Sequence, residues 1–272
     1  KALNESYNLY AEVYKDNGTD RLQRIGFDDD LTITSGQSKT FSLDLVATQE
    51  YDIVFWAQKD GAYGVDNKLT NVDMDIKNHH NSEEGAAYYA ILNDFKPSED
   101  NPSVSLKRPF AQLNIGTLLN VSYSTTPMKI NSAEIKVSQV ASEFNRVDFN
   151  GTMGVGQEPP VDYIGSGLPY SRTVEVLEVG GTDYSYVSMD YLPVIDNKGV
   201  VDVTVKLNVE DPYGVSSEIT RTIKSVPLQM NYKTNIVGNL ITSATDFTIT
   251  IDESWNTPNN DKEVVFREVA TE

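Results

Sequence analysis

The chain has no cysteine among its 272 residues. That excludes disulfides, thiol nucleophiles and zinc–thiolate sites together, and it leaves the redox compartment open, because a disulfide-free protein is at home anywhere. Positive charge is also scarce: 22 Lys and Arg stand against 40 Asp and Glu, a formal charge of −18. Binding to nucleic acid or to an anionic membrane surface needs a basic face, so both partner classes are excluded. No apolar run approaches the roughly 18 residues of a bilayer-spanning helix. The chain starts at Lys1 without an initiator Met or an apolar leader, from which a processed or trimmed chain is expected.

What is present suffices for real cores. Apolar residues make up 39% and aromatics 10%, with 15 Tyr, so global disorder is ruled out. The length gives a prior near two domains at roughly 150 residues each. A composition rich in Tyr, Asn, Thr and acid is common in secreted β proteins, a hint and no more.

The dominant period is two. From Leu3 to Val13 the odd positions read Leu3, Glu5, Tyr7, Leu9, Ala11 and Val13, a half-buried strand with Glu5 as its exception. The alternation returns at Phe41–Leu45, Val72–Ile76, Ala133–Val137, Val201–Leu207 and Phe247–Ile251. Tyr51–Ala57 is a continuous apolar run, as in a central strand covered on both faces. Turn chemistry separates these runs at Asp16-Asn17-Gly18, Ser35-Gly36, Asp60-Gly61, Asn150-Gly151, Gly180-Gly181 and Asn197-Lys198-Gly199. No segment sustains helical periodicity. Ser82-Glu83-Glu84 fits a helix cap ahead of Ala86–Leu92, yet Tyr88, Tyr89 and Ile91 suit a strand as well. The predicted class is all-β, of sandwich or barrel type. The polar stretch Asn120–Pro127 marks a boundary, giving an N-terminal domain over 1–120 and a C-terminal one over 121–272. Gly151–Tyr170, with five Gly and three Pro, reads as a long surface loop of the second domain.

The search for chemistry gives nothing above chance, and no catalytic, cofactor-binding or metal-ligating residue is assigned. His79 and His80 are the only histidines; as neighbours on a strand they would face opposite ways, and a solvated turn is their simplest reading. No Gly-x-Ser-x-Gly elbow is present to supply a nucleophile. The acidic clusters Asp28-Asp29-Asp30, Glu83-Glu84 and Asp52 do not show the fixed separation across a cleft that glycoside hydrolysis requires. Asp16–Asp20 has calcium-type oxygen ligands, but Phe27 stands where the EF-hand pattern needs a closing acid. Trp56 falls inside an apolar run and is assigned to the core. Trp255 lies in a polar tail and is the better surface candidate for stacking a sugar.

Three stretches are more specific. Leu106-Lys107-Arg108-Pro109-Phe110-Ala111-Gln112-Leu113-Asn114-Ile115-Gly116-Thr117 resembles the mid-chain "Arg-x-x-Ala-x-hydrophobic" strand of fimbrillin-like proteins of Bacteroidetes, and Tyr51–Gln58 resembles the aromatic strand that precedes it there. Asn231-Tyr232-Lys233-Thr234-Asn235-Ile236-Val237-Gly238-Asn239-Leu240-Ile241-Thr242 resembles the late block of the same family. The resemblance implies a non-enzymatic type V pilus subunit: two transthyretin-like β-sandwiches in tandem, exported as a lipoprotein precursor to a fimbria attached to the outer membrane. It implies that an Arg-directed protease removes the first strand, and that other pilin subunits are the partners, joined by β-strand addition. A host or bacterial surface ligand is a further partner in that family, and the lipid anchor belongs to the precursor only.

The residues give this a physical basis. The Leu3–Val13 strand carries about five apolar side chains on one face, worth on the order of 10 kcal/mol before chain entropy is subtracted. Its removal would leave a groove that a partner's strand can refill. Arg21 and Arg24 follow the turn-rich Asp16–Asp20 and are the candidate processing sites, with no preference between them. Val264–Val269, after the polar spacer Asn256–Asp261, is the donor-strand candidate, or else the last strand of the second domain. The alternative is a surface glycan-binding lipoprotein that does not polymerise, with Trp255 and Tyr-rich faces as its platforms.

Overall fold

A computed structural model describes residues 6–15, 20–25, 32–34, 38–43, 45–65, 69, 71–73, 79–97, 103–118, 122–123, 126–140, 143–145, 154–155, 161–170, 176–194, 198–242, 247–256 and 262–268. Among them the regular structure is all strand, apart from short 3-10 turns such as Glu83–Gly85 and Ser254–Asn256. The all-β expectation holds.

The N-terminal sheet runs β2 (Asp20–Ile25), β1 (Ser6–Lys15), β5 (Tyr51–Gln58), β8 (Ala87–Phe95), with β3 (Thr32–Thr34) also on β1. A three-stranded sheet joins β4 (Ser38–Leu43), β23 (Lys262–Glu268) and β9 (Ser103–Leu106) in that order. The largest sheets are β17 (Leu177–Val179), β18 (Thr182–Pro193), β10 (Phe110–Leu118), β21 (Lys233–Gly238), β22 (Phe247–Asp252), and β16 (Val161–Gly167), β13 (Lys129–Val140), β19 (Lys198–Glu210), β20 (Ser216–Gln229). Smaller ladders link β15 (Gly154–Val155), β14 (Glu143–Asn145), β7 (Asn71–Asp73) and β6 (Gly64–Val65), and pair β11 (Ser122–Tyr123) with β12 (Thr126–Pro127) inside the polar stretch.

The period-two reading explains the burial. Along β13, Ala133, Ile135 and Val137 point into the core while Glu134 and Lys136 face solvent. Along β19, Val203, Val205, Leu207 and Val209 are buried on one side. All eight residues of β5 are buried, as its continuous apolar run predicts. Trp56 is in the core, its indole N–H satisfied by Gln58 Oε1 at 2.7 Å. The ambiguous 82–92 segment is both things in turn. Ser82 Oγ accepts from the Glu84 amide to cap the 3-10 turn, and Ala87 then starts β8.

Three sheets draw strands from both sides of residue 120. β10 pairs with β18 and β21, β23 lies between β4 and β9, and β14 pairs with β7. The loop expected over 151–170 is corrected. Val161–Gly167 is a strand antiparallel to β13, and Gly154–Val155 pairs with β14. Its glycines misled the reading: Gly165 serves close packing, since a β-carbon there would collide with His80 Nδ1 and the Tyr163 hydroxyl.

The two most specific sequence blocks are neighbours. β10 and β21 run parallel, Gln112 opposite Lys233 through Thr117 opposite Gly238. Asn231 enters this pairing with φ +63°, a conformation Asn tolerates better than most residues. Its amide donates to Phe110 O at 2.9 Å, and its Oδ1 accepts from the Arg108 amide at 3.2 Å. Asn114 Nδ2 donates to Asn235 Oδ1 at 2.8 Å across the buried ladder.

Candidate functional site

The first and last described strands of the chain both occupy interior positions. β1 pairs antiparallel with β5 over eight residues, from Asn8 opposite Gln58 to Lys15 opposite Tyr51, and with β2 and β3 on its other edge. Tyr7, Leu9, Ala11 and Val13 are each at most 3% exposed, as the alternation predicts. The opposite side is less polar in its surroundings than the sequence suggests, because Glu12 and Tyr14 are buried as well. Removing β1 would bare the edge of β5 and the pockets of four buried side chains at once.

β23 is parallel to β4, Glu263 opposite Ser38 through Glu268 opposite Leu43, and antiparallel to β9, Lys262 opposite Leu106 through Val265 opposite Ser103. Among the described residues β4 and β9 are joined through it. The donor-strand candidate is therefore seated in the chain's own sheet beside strands that precede residue 120. Arg21 and Arg24 lie on β2, opposite Tyr14 and Glu12 of β1, in the outermost strand of that sheet among the described residues. Asp16–Thr19, Phe27 and Asp28–Asp30, which carry the calcium reading and one acidic cluster, lie outside the described residues.

From β1 a stack of rings and cations runs to Trp255. Tyr7 of β1 meets Tyr88 of β8 edge-to-face at 5.1 Å. The Arg108 guanidinium sits 4.7 Å from the Tyr88 ring centre, donates from Nη2 to its hydroxyl at 2.8 Å, and lies 4.1 Å from the Trp255 ring centre. Trp255 stacks on Tyr191 at 6.0 Å and 17°, while Lys233 approaches the same indole at 5.6 Å. Burial lowers the Lys233 pKa, with Asp252 opposing that shift. Burial also raises the Tyr191 pKa, helped by Glu83, whose Oε2 accepts the phenol proton at 2.7 Å. Trp255 is 7% exposed, so the surface sugar platform expected of it is overturned. Its polar sequence neighbours hid a ring that Arg108, Tyr191 and Lys233 enclose from distant strands.

The histidine turn is likewise no solvated loop. His79 Nε2 bonds Ala62 O at 2.7 Å. His80 Nδ1 lies 2.7 Å from Asp190 Oδ1, which also accepts the Tyr163 hydroxyl. Asn81 completes the clasp: its Nδ2 reaches His80 Nε2 and Leu168 O at 3.1 Å, and its Oδ1 accepts the Met189 amide at 2.9 Å. With Asn81 Nδ2 donating toward Nε2, His80 turns its Nδ1 toward Asp190. Asp190 is 1% exposed, and Asp190 Oδ2 has no hydrogen-bond partner among the described residues. Burial and the Asp190 carboxylate both push the Tyr163 phenol pKa up, so it stays a donor. Asp52, counted among the acidic clusters, accepts the Asp94 amide at 3.0 Å and is buried. Among the described residues no three His, Cys, Asp or Glu side chains converge to hold a metal ion. The clasp escaped sequence reading because its members are up to 110 positions apart; its one visible sign is an acid, Asp190, inside the apolar run Val187–Leu192.

The profile of a family of unknown function, DUF6562, matches residues 5–267. No curated protein matches the chain. Among solved structures, it is similar to a candidate polysaccharide-binding protein from Bacteroides thetaiotaomicron, 11% identical, covering 93% of this chain and 89% of that one at a TM-score of 0.50. The tip fimbrial protein Mfa3 of Porphyromonas gingivalis is 12% identical over 92% of this chain and 94% of that one, at 0.47. A fimbrial protein of Bacteroides vulgatus is 9% identical over 90% and 91%, at 0.44. At such identities the likeness is one of fold.

Proposed function

The chain belongs to that family of unknown function, DUF6562, and from this footing we propose that it is a structural subunit or adhesin of a cell-surface fimbria, joined to its neighbours by exchange of β-strands. One observation carries the reading: β1, the first described strand, is an interior strand whose apolar row is fully buried against β5. Cleavage at Arg21 or Arg24 of the outermost strand β2 would free β1 and open an apolar groove bordered by unpaired β5 backbone. A second subunit's strand satisfies both needs, with main-chain bonds for affinity and alternate side-chain pockets for register. The precursor is a lipoprotein destined for the outer membrane. A tandem pair of transthyretin-like sandwiches belongs to the same proposal. In this proposal the sandwiches cover residues 1–120 and 121–272, with β10 pairing to β18 and β21 and β23 pairing to β4 and β9.

The alternative of a non-polymerising glycan-binding lipoprotein is left without its main platform, since Trp255 is enclosed. The test is treatment of the purified protein with an Arg-specific protease, followed by light scattering and unboiled gels. Loss of residues up to about 24 with a stable ladder of multimers is the expected result. A cut chain that stays monomeric at high concentration would sink strand exchange.

A further inference from the structure

The four-stranded sheet of β16, β13, β19 and β20 has two edges that are built differently. β20 carries the devices that discourage further pairing. Arg221 and Lys224 lie along it, a bulge against β19 holds Ser225 at φ +55°, and Pro227 has no N–H to offer. β16 has none of these. Val161–Gly167 contains no Lys, Arg or Pro, and its pairing with β13 is unbroken from Tyr163 to Gly167. Among the described residues β13 is its one strand partner, which leaves the backbone groups of its outer side open. Apolar side chains stand beside that open edge. Val161 is 41% exposed, Ile164 45% and Leu168 77%, three of the nine exposed large hydrophobic residues among those described. The edge is also held still from within. The Tyr163 hydroxyl donates to Asp190, and Leu168 O accepts from Asn81 Nδ2 at 3.1 Å, so little freedom is left to lose on pairing.

We propose that β16 is a self-pairing edge, through which two copies of the chain join antiparallel about a two-fold axis at Ile164 and fuse their four-stranded sheets into one. The occupant is a second copy because the strand is complementary to itself in this register. Ile164 meets its own counterpart, Asp162 faces the Ser166 of the second copy, and the large Tyr163 faces the side-chain-free Gly165. Apolar groups oppose each other and no two like charges do. Asp162 is moreover neutralised within each copy by Lys136 at 2.7 Å. The fused sheet ends in β20 on both sides, the edge that already carries its protection, so the pairing closes at two copies. Seven paired residues make a small interface, of the weak and reversible class. Each copy brings a charge of −18, and that repulsion opposes the contact. Added salt therefore tightens the dimer, the reverse of an interface held by ion pairs. Neither β1 nor β23 takes part, so the proposal stands apart from strand exchange.

Sedimentation velocity of the uncut full chain, over a concentration series at low and high salt, tests the edge. The expected result is a monomer–dimer equilibrium that salt shifts toward the dimer. Ile164→Lys sets two cations against each other on the axis and should weaken dimerisation at least about tenfold. The position is exposed, and circular dichroism checks that the variant keeps its fold. Thr222→Lys, exposed on β20, should leave the equilibrium unchanged. Because the chain has no Cys, Ile164→Cys adds a geometric readout. Counterparts on the axis of an antiparallel pair lie within disulfide reach, so mild oxidation should give a covalent dimer. A chain that stays monomeric throughout the series overturns the proposal. So does a dimer that Ile164→Lys leaves intact, one that Thr222→Lys breaks instead, or one in which Ile164→Cys forms no cross-link.

Discussion

The sheet of β16, β13, β19 and β20 and the two sheets holding the chain's terminal strands follow opposite connection rules. In the former, β19 and β20 form one long hairpin around Asp211–Val215, with Asp211 Oδ1 accepting the Tyr213 and Val215 amides at 2.8 Å. Closing that turn costs little entropy, and pairing can zip outward from it. In the latter, β1 and β23 are interior strands supplied by opposite ends of the chain, and β23 pairs with strands more than 150 positions before it. Both regions bury alternate apolar rows equally well. The difference lies in what a partner can replace: β19 and β20 are tethered to each other at their turn and β1 to β2 across a short connection, whereas both described ladder partners of β23 lie far from it in sequence.

Several changes sharpen or break that contrast. Leu9→Ala in β1 and Leu207→Ala in β19 should each cost about 2–5 kcal/mol in urea titration, since both leave a cavity among fully buried side chains. Their kinetics should part company in stopped-flow measurements. Leu207→Ala slows refolding because local pairing forms early, while Leu9→Ala chiefly accelerates unfolding. Identical kinetic signatures would erase the distinction. Asp190→Ala strips the acceptor from Tyr163 and His80, and about 1–3 kcal/mol should be lost for each donor left buried; denaturation of this variant beside Tyr163→Phe separates the two contributions.

Asn231→Ala places an alanine at φ +63° and removes the acceptor for the Arg108 amide, for an expected loss of about 2 kcal/mol. Asn231→Gly should recover the backbone share alone, and thermal melts of the pair would show it. The smallest effect belongs to the solvent face of the hairpin sheet. Lys224 and the Ser225 amide bond Asp202 and hold its pKa below the ordinary value. A depressed acid contributes stability that is present above its unfolded pKa and is lost as pH falls through the folded value. Asp202→Asn should therefore flatten slightly the acid limb of the stability–pH curve below about pH 4. An unchanged limb would assign that slope to other acids.

What could be read in advance follows from the range over which each signal acts. β13, β19 and the β1 row were legible because burial on one face imprints a period of two within a few residues. Trp56 was legible for the same reason. The parallel neighbourhood of β10 and β21 was not, because Asn114 meets Asn235 across 121 positions and nothing local records which strand lies alongside. β16 was hidden by Gly165 and Gly167, which imitate loop composition, while Gly165 serves the close passage of His80. Trp255 misled in the opposite direction. Polarity of its sequence neighbours reports only on them, while its own burial is set by Arg108, Tyr191 and Lys233 from other strands.

The seat of β23 also fixes an order of events in time. A chain emerging from its N-terminus cannot complete the sheet of β4 and β9 until residues 262–268 have appeared, and β10 must wait for 233–238 before both of its neighbours exist. Until then, edges and apolar rows stand open, and no stable early unit forms around them. Such a molecule keeps these edges open until residues 262–268 arrive, so its sheets close late and together.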